Sequence, residues 1–146
     1  MARSGPDLEP DEELRAYAPA SFRGAAAASS RSTMSLSSGR VRSRSYEAWA
    51  EAARAAGFPT AGPEMVLGLT DSRLVVWRVS FWVSRPIELS GDIPIDRLAD
   101  VVAVRHGPLT GVAFVLSNGS IIEVEAFRGR RLRHLAAAAR AAIQRR

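Results

Sequence analysis

The chain has 146 residues, a length that suits one folded domain with a single hydrophobic core. Its composition, 47% hydrophobic and 24% charged, is typical of a globular domain and excludes a chain disordered throughout. The absence of cysteine excludes disulfides, thiolate nucleophiles and cysteine-based zinc sites. No apolar run is long enough to span a bilayer, and acidic residues at positions 7–13 occupy the place of a secretory signal. We therefore expect a cytoplasmic protein.

The net charge is +5, and all 20 basic residues are arginine. Seven of these arginines lie in residues 128–146, which contain no acidic residue. Arginine is a permanent cation that binds carboxylate and phosphate groups through two parallel hydrogen bonds. The uneven charge therefore indicates either an anionic partner or a solvated surface in a protein that uses arginine in place of lysine.

The first region with a structural pattern lies near the N-terminus. Leu14, Ala16 and Ala18 alternate with polar or amphipathic residues, which predicts one short strand that ends near Pro19.

The second region, residues 25–63, begins with the low-complexity sequence AAAASSRSTMSLSSGRVRSRS. Its serines and lack of apolar bulk predict a mobile loop over residues 29–45. The following YEAWAEAARAAG predicts a helix over residues 46–56 that ends at Gly57, with its aromatic residues attached to the rest of the domain.

The third region, residues 64–146, contains most of the predicted strands. Residues 73–85 predict a long strand whose odd positions, including Val75 and Trp77, form a buried face. GVAFVLSNGSIIEVEAF predicts a hairpin with an Asn-Gly turn and with Phe114 facing the core. The last segment predicts an amphipathic helix that covers one end of the sheet. In total, the pattern predicts about seven strands and a C-terminal helix.

Three segments, LTDSRLVVW, PIELSGDIPIDRLADVVAV and VAFVLSNGSIIEVEA, resemble the bacterial pleckstrin-homology-like (PH-like) domains, close to the GRAM type. The resemblance covers roughly residues 64–144, with a first strand near residues 12–22. It implies a mainly β fold, a seven-stranded antiparallel barrel or orthogonal sandwich capped by one C-terminal helix. Residues 1–146 would then be one domain, and the basic residues 25–63 a helical insertion after the first strand.

The resemblance also implies where a ligand could bind, because lipid-binding PH domains place basic residues between their first two strands. In this sequence the corresponding residues are Arg23, Arg40, Arg42 and Arg44. A second candidate group, Arg128, Arg130 and Arg131, lies at the start of the predicted C-terminal helix, where the helix dipole disfavours cations. An alternative for this segment is that the helix serves only to cover the core, with its arginines in solvent.

None of the PH-like motifs carries catalytic residues. A hydrolase would need His106 or His134 beside a nucleophile and an acid, for instance His106 with Thr110 and Asp100. No nucleophile elbow, phosphate loop or metal-ligand cluster accompanies these histidines. We therefore expect no enzymatic activity, no cofactor and no metal.

The function predicted from the sequence is a non-catalytic binding or scaffolding module for an unidentified protein partner, with the basic insertion as its binding loop. The alternative is peripheral binding to the anionic inner face of the membrane, or to a phosphorylated ligand, through the arginine groups. Nucleic acid is disfavoured as a partner because the aromatic residues do not alternate with the arginines.

Overall fold

The computed structural model describes residues 8–24, 38–79 and 86–146, with the backbone alone at residues 38–43 and 86–87. These residues form seven strands, two α-helices and one 3₁₀ turn. In chain order they are β1 (Ala16–Phe22), α1 (Ser38–Ala56), β2 (Glu64–Leu69), β3 (Arg73–Val79), β4 (Pro86–Pro94), the turn Ile95–Arg97, β5 (Leu98–His106), β6 (Leu109–Leu116), β7 (Ile121–Phe127) and α2 (Arg130–Gln144).

The seven strands form one antiparallel sheet in the order β4-β3-β2-β1-β7-β6-β5. The mainly β architecture, the C-terminal helix and a helix inserted after β1 are as predicted. The two edge strands, β4 and β5, are joined by only the three residues Ile95–Arg97, so the sheet must curl round the core. The predicted closure into a barrel is not reached, because β4 and β5 separate at this turn and do not pair within the described residues.

The β6–β7 hairpin forms with the predicted faces. Phe114 pairs with Ile122, and both side chains are buried in the main core. At the turn, Asn118 Oδ1 accepts a hydrogen bond of 2.9 Å from the backbone N–H of Ser120. The buried stripe of α2 includes Leu132 and Leu135, as its amphipathic pattern predicted.

Helix α1 is longer than predicted. It begins at Ser38, eight residues before the predicted start at Tyr46, and it ends at Ala56 as expected. Part of the predicted loop over residues 29–45 is therefore helical, and the rest of that loop, up to residue 37, lies outside the described residues. The composition of residues 38–45 does not predict a helix. Once tertiary packing holds the later turns of α1, however, each further residue added to the helix gains one hydrogen bond and needs no new nucleus.

The packing of α1 depends on its aromatic residues, as predicted. The Tyr46 ring lies 5.6 Å from that of Phe22, and the Trp49 ring lies 6.2 Å from that of Phe58. Trp49 Nε1 also donates a hydrogen bond of 2.7 Å to the backbone oxygen of Glu123 on β7. These contacts hold α1 against the end of β1 and the start of β7.

Strand β3 is buried on both faces, which corrects the prediction of one buried face at its odd positions. Leu74 and Val76 point into the main core. Val75 and Trp77 form a second cluster on the outer face, against which Leu14 packs. The predicted continuation of this strand through residues 80–85 lies outside the described residues.

Strand β1 continues through Pro19 to Phe22, so the predicted end at Pro19 is wrong. The strand tolerates proline because Pro19 pairs with Val66 of β2, whereas β7 pairs only with Ser21 and Phe22. At Pro19, β1 therefore has a hydrogen-bonding partner strand on one side only, and the missing N–H of proline can be tolerated on the other.

Within the described residues, no helix has both the length and the apolarity needed to cross a membrane.

Candidate binding surfaces

The first group of predicted arginines lies where β1 ends and along α1. Arg23 Nε lies 3.7 Å from Glu123 Oε2, and both side chains are about half exposed. Arg44 is exposed on α1. Arg40 and Arg42 lie on the same helix, and their side chains are outside the described part of the structure. The structure therefore places Arg23 next to an acidic residue.

The second group lies at the start of α2, where β7 ends. Arg131 Nη1 donates a hydrogen bond of 2.8 Å to the Tyr17 hydroxyl, and its guanidinium carbon lies 4.9 Å from the centre of the tyrosine ring. The guanidinium carbon of Arg128 lies 5.7 Å from the ring centre of Phe127, which is 68% exposed. Arg130 is exposed beside them. Because these aromatic partners are neutral, they position Arg128 and Arg131 without cancelling their charge.

The two groups are not brought together. Tyr17, the partner of Arg131, lies near the start of β1, whereas Arg23 follows its last residue. At about 3.3 Å per residue, positions 17 and 23 of an extended strand are roughly 20 Å apart. Arg131 and Arg23 are therefore held at opposite ends of β1, although the Arg23 guanidinium extends over Gly111 of β6.

The N-terminus of α2 has unsatisfied hydrogen-bond donors. Gly129 is the N-cap residue and provides no side-chain cap, and the first turn contains no acidic residue. Arg133 N donates to Gly129 O at 2.8 Å, which is the first bond of the helix. The preceding N–H groups of Arg130, Arg131 and Leu132 have no acceptor in the described parts of the chain.

Thr110 of β6 lies against this helix terminus. It is only 2% exposed, and its hydroxyl makes no hydrogen bond to any residue that the structure describes. A Cβ atom at Gly129 would clash with the Thr110 side chain and would lie 2.8 Å from its Oγ1, so the threonine, hydroxyl included, packs directly against the N-cap residue. From the sequence, Thr110 was a candidate only as a hypothetical nucleophile. The sequence did offer one sign of a buried polar group, since Thr110 lies on the same face of β6 as the inward residues Val112 and Phe114.

Strand β5 provides a different kind of surface, an open sheet edge. It pairs with β6 from Leu98 to His106 with one register shift, between Leu98 and Asp100, and its opposite edge faces no other strand of the described structure. Near the shift, Asp100 Oδ1 accepts a hydrogen bond of 2.8 Å from the Val101 N–H. Residues 103–106 are exposed, and Val104 is 45% exposed. The other edge strand, β4, has a proline at each end and two register shifts against β3, which are features that hinder further pairing.

The hypothetical hydrolytic set does not assemble. Thr110 pairs with Arg105, and the next residue, His106, points to the opposite face of the sheet. Within the described ranges, no three histidine, aspartate or glutamate side chains cluster as metal ligands. The prediction that the protein is not an enzyme remains a prediction.

Comparison with protein-family models gives no match, and comparison with curated protein sequences gives no significant match. The function of the chain is therefore inferred from the fold, the two arginine groups and the open edge of β5.

Proposed function

We propose that the chain is a non-catalytic PH-like binding module that holds a protein partner by adding a strand of the partner to β5. The antiparallel strand order, the C-terminal helix and the insertion after β1 support the PH-like assignment. The open edge of β5 is the observation on which the binding role depends.

An unpaired edge strand presents a row of backbone N–H and C=O groups to solvent. An extended peptide can pair with this row, and the exposed side chains beside it then determine which peptides bind. On β5 the exposed Val104 favours an apolar residue in the partner, and Arg105 favours an acidic one. Neither proline nor lysine interrupts the strand. We therefore expect extended peptides that carry both residue types to bind.

Selection from a displayed peptide library, followed by NMR titration of the best peptide, tests this proposal. The largest amide shifts should fall on the exposed residues 103–106. Val104→Lys places a charged, flexible side chain at the edge and should weaken peptide binding by about tenfold or more. Ile121→Lys is the matched control, because it replaces an exposed apolar residue of β7. Peptide binding that is equally strong in Val104→Lys and the wild type would contradict the proposal.

A further inference from the structure

We propose that the N-terminus of α2 is a binding site for a phosphate-type oxyanion. The ligand would be bound by the first-turn N–H groups, the side chains of Arg128 and Arg130, and the hydroxyl of Thr110. This site uses none of the residues proposed to read the peptide, although Arg105 of that edge is the cross-strand neighbour of Thr110.

The helix terminus provides the first part of the argument. Its N–H groups carry partial positive charge because the peptide dipoles of the helix are aligned. A side-chain cap or an acidic residue usually balances this charge, and α2 has neither in its first turn. The first turn and the residues just before it instead contain Arg128, Arg130, Arg131 and Arg133, which add positive charge where the dipole disfavours it. A bound anion would satisfy both the N–H groups and the arginines.

The second and independent observation is the hydroxyl of Thr110. Buried hydroxyls nearly always make a hydrogen bond, because losing water without a replacement partner is costly. Thr110 is only 2% exposed, and its hydroxyl has no hydrogen-bond partner within the described residues. The hydroxyl lies against Gly129 at the helix terminus, so an oxyanion bound there could accept a hydrogen bond from it.

Arg131 keeps its positive charge near the site when no ligand is bound. Its guanidinium is held by the hydroxyl and ring of Tyr17, both neutral, so no carboxylate competes with the ligand. Arg128 and Arg130 are exposed and make no ion pair with the described residues, so no carboxylate competes with the ligand for them either.

The donor set favours phosphate over a carboxylate. The N–H groups and Arg130 belong to α2, Arg128 directly precedes it, and the Thr110 hydroxyl comes from β6. A tetrahedral dianion has enough oxygens to accept hydrogen bonds from all of them. Two sources provide the same chemistry: a soluble phosphate monoester, and the phosphomonoester headgroup of phosphatidic acid.

NMR titration with inorganic phosphate at constant ionic strength tests the site. Amide shifts should be largest at residues 129–132. Arg130→Gln and Thr110→Val should each weaken phosphate binding by about tenfold, the usual effect of losing a hydrogen bond to a charged group. Thr110→Val is nearly isosteric and keeps the contact with Gly129, and Thr110→Ser should retain binding. Arg54→Gln removes one exposed arginine from α1 and is the matched control.

Vesicles distinguish the two sources. Binding to phosphatidic acid vesicles but not to phosphatidylglycerol vesicles of equal charge, with the same dependence on Arg130 and Thr110, indicates the lipid headgroup. Binding of inorganic phosphate without vesicle binding indicates a soluble ligand. The proposal is overturned if phosphate shifts no amide at the helix terminus, or if Arg54→Gln weakens binding as much as Arg130→Gln. Val104→Lys should leave phosphate binding unchanged, so failure of the peptide proposal and failure of this site are distinguishable.

Discussion

Arg73 forms a two-point ion pair with Glu12, a residue 61 positions earlier in the chain. Its Nη2 atom lies 2.7 Å from Glu12 Oε1, and its Nε atom lies 2.8 Å from Glu12 Oε2. The two side chains are only 17% and 10% exposed. Arg73 also binds Asp92 of β4 at 2.9 Å. The pair therefore fastens the N-terminal segment to β3, where Leu14 covers the outer cluster.

Glu12→Gln should lower the free energy of unfolding by about 1.5–3 kcal/mol, because it weakens hydrogen bonds between charged groups at a mostly buried position. Glu13→Gln is the matched control, since Glu13 is exposed, and it should change stability by less than about 0.5 kcal/mol. Urea unfolding at neutral pH measures both. Equal stability of the two variants would show that the Glu12–Arg73 pair contributes nothing to folding.

The same pair predicts how stability depends on pH. The hydrogen bonds from Arg73 are the main cause that lowers the pKa of Glu12 to about 2. In the unfolded chain the pKa of a glutamate is about 4.3. Because the folded value is the lower one, the contribution of Glu12 is complete above about pH 5 and decreases as the pH falls toward the folded pKa.

Urea unfolding of the wild type and Glu12→Gln at a series of pH values measures this effect. The stability difference between them should be constant from about pH 7 to pH 5 and should narrow below that range. A difference that stays constant down to about pH 2 would contradict the lowered pKa.

The elements that the sequence predicted correctly are those specified by local patterns. The β6–β7 hairpin depends on alternation around Asn118 and Gly119, and α2 on its apolar stripe. The faces of β3 were not predictable in this way, because residues 74–77 are all apolar. The outer face is covered at Trp77 by Leu8 and Leu14 of the N-terminal segment, a tertiary contact that the local pattern does not show.

The candidate anion site was predictable only in part. Its arginines are adjacent in sequence, so Arg128, Arg130 and Arg131 could be identified as a group. The contact between Arg131 and Tyr17 joins residues 114 positions apart, and the position of Thr110 against Gly129 depends on how β6 meets α2. Such contacts leave no local signal, apart from a threonine at an inward position.

Phe114→Ala should lower the free energy of unfolding by about 3–5 kcal/mol, the usual cost of a large cavity in a core. Phe114 is fully buried, and its ring centre lies 5.5 Å from that of Phe58. Phe127→Ala is the matched control, because its ring is mostly exposed and its loss should cost far less. Thermal or urea unfolding compares them, and a Phe114→Ala protein as stable as the control would show that the inner face of β6 is assigned wrongly.

Arg130→Glu should raise the stability of the ligand-free protein by about 0.3–1 kcal/mol, because an acidic residue in the first helical turn interacts favourably with the helix dipole. Binding of inorganic phosphate should decrease in the same variant. A residue that lowers stability but favours binding is the pattern expected of a functional site.

Arg54→Glu provides a control of opposite sign. Arg54 lies in the last turn of α1, where a cation is favourable, so this substitution makes the same charge change and should lower stability. Both effects should diminish at high salt, because solvent ions screen exposed charges. If both variants gain stability equally, the reduction of net positive charge is the cause, and the N-terminus of α2 does not disfavour its arginines.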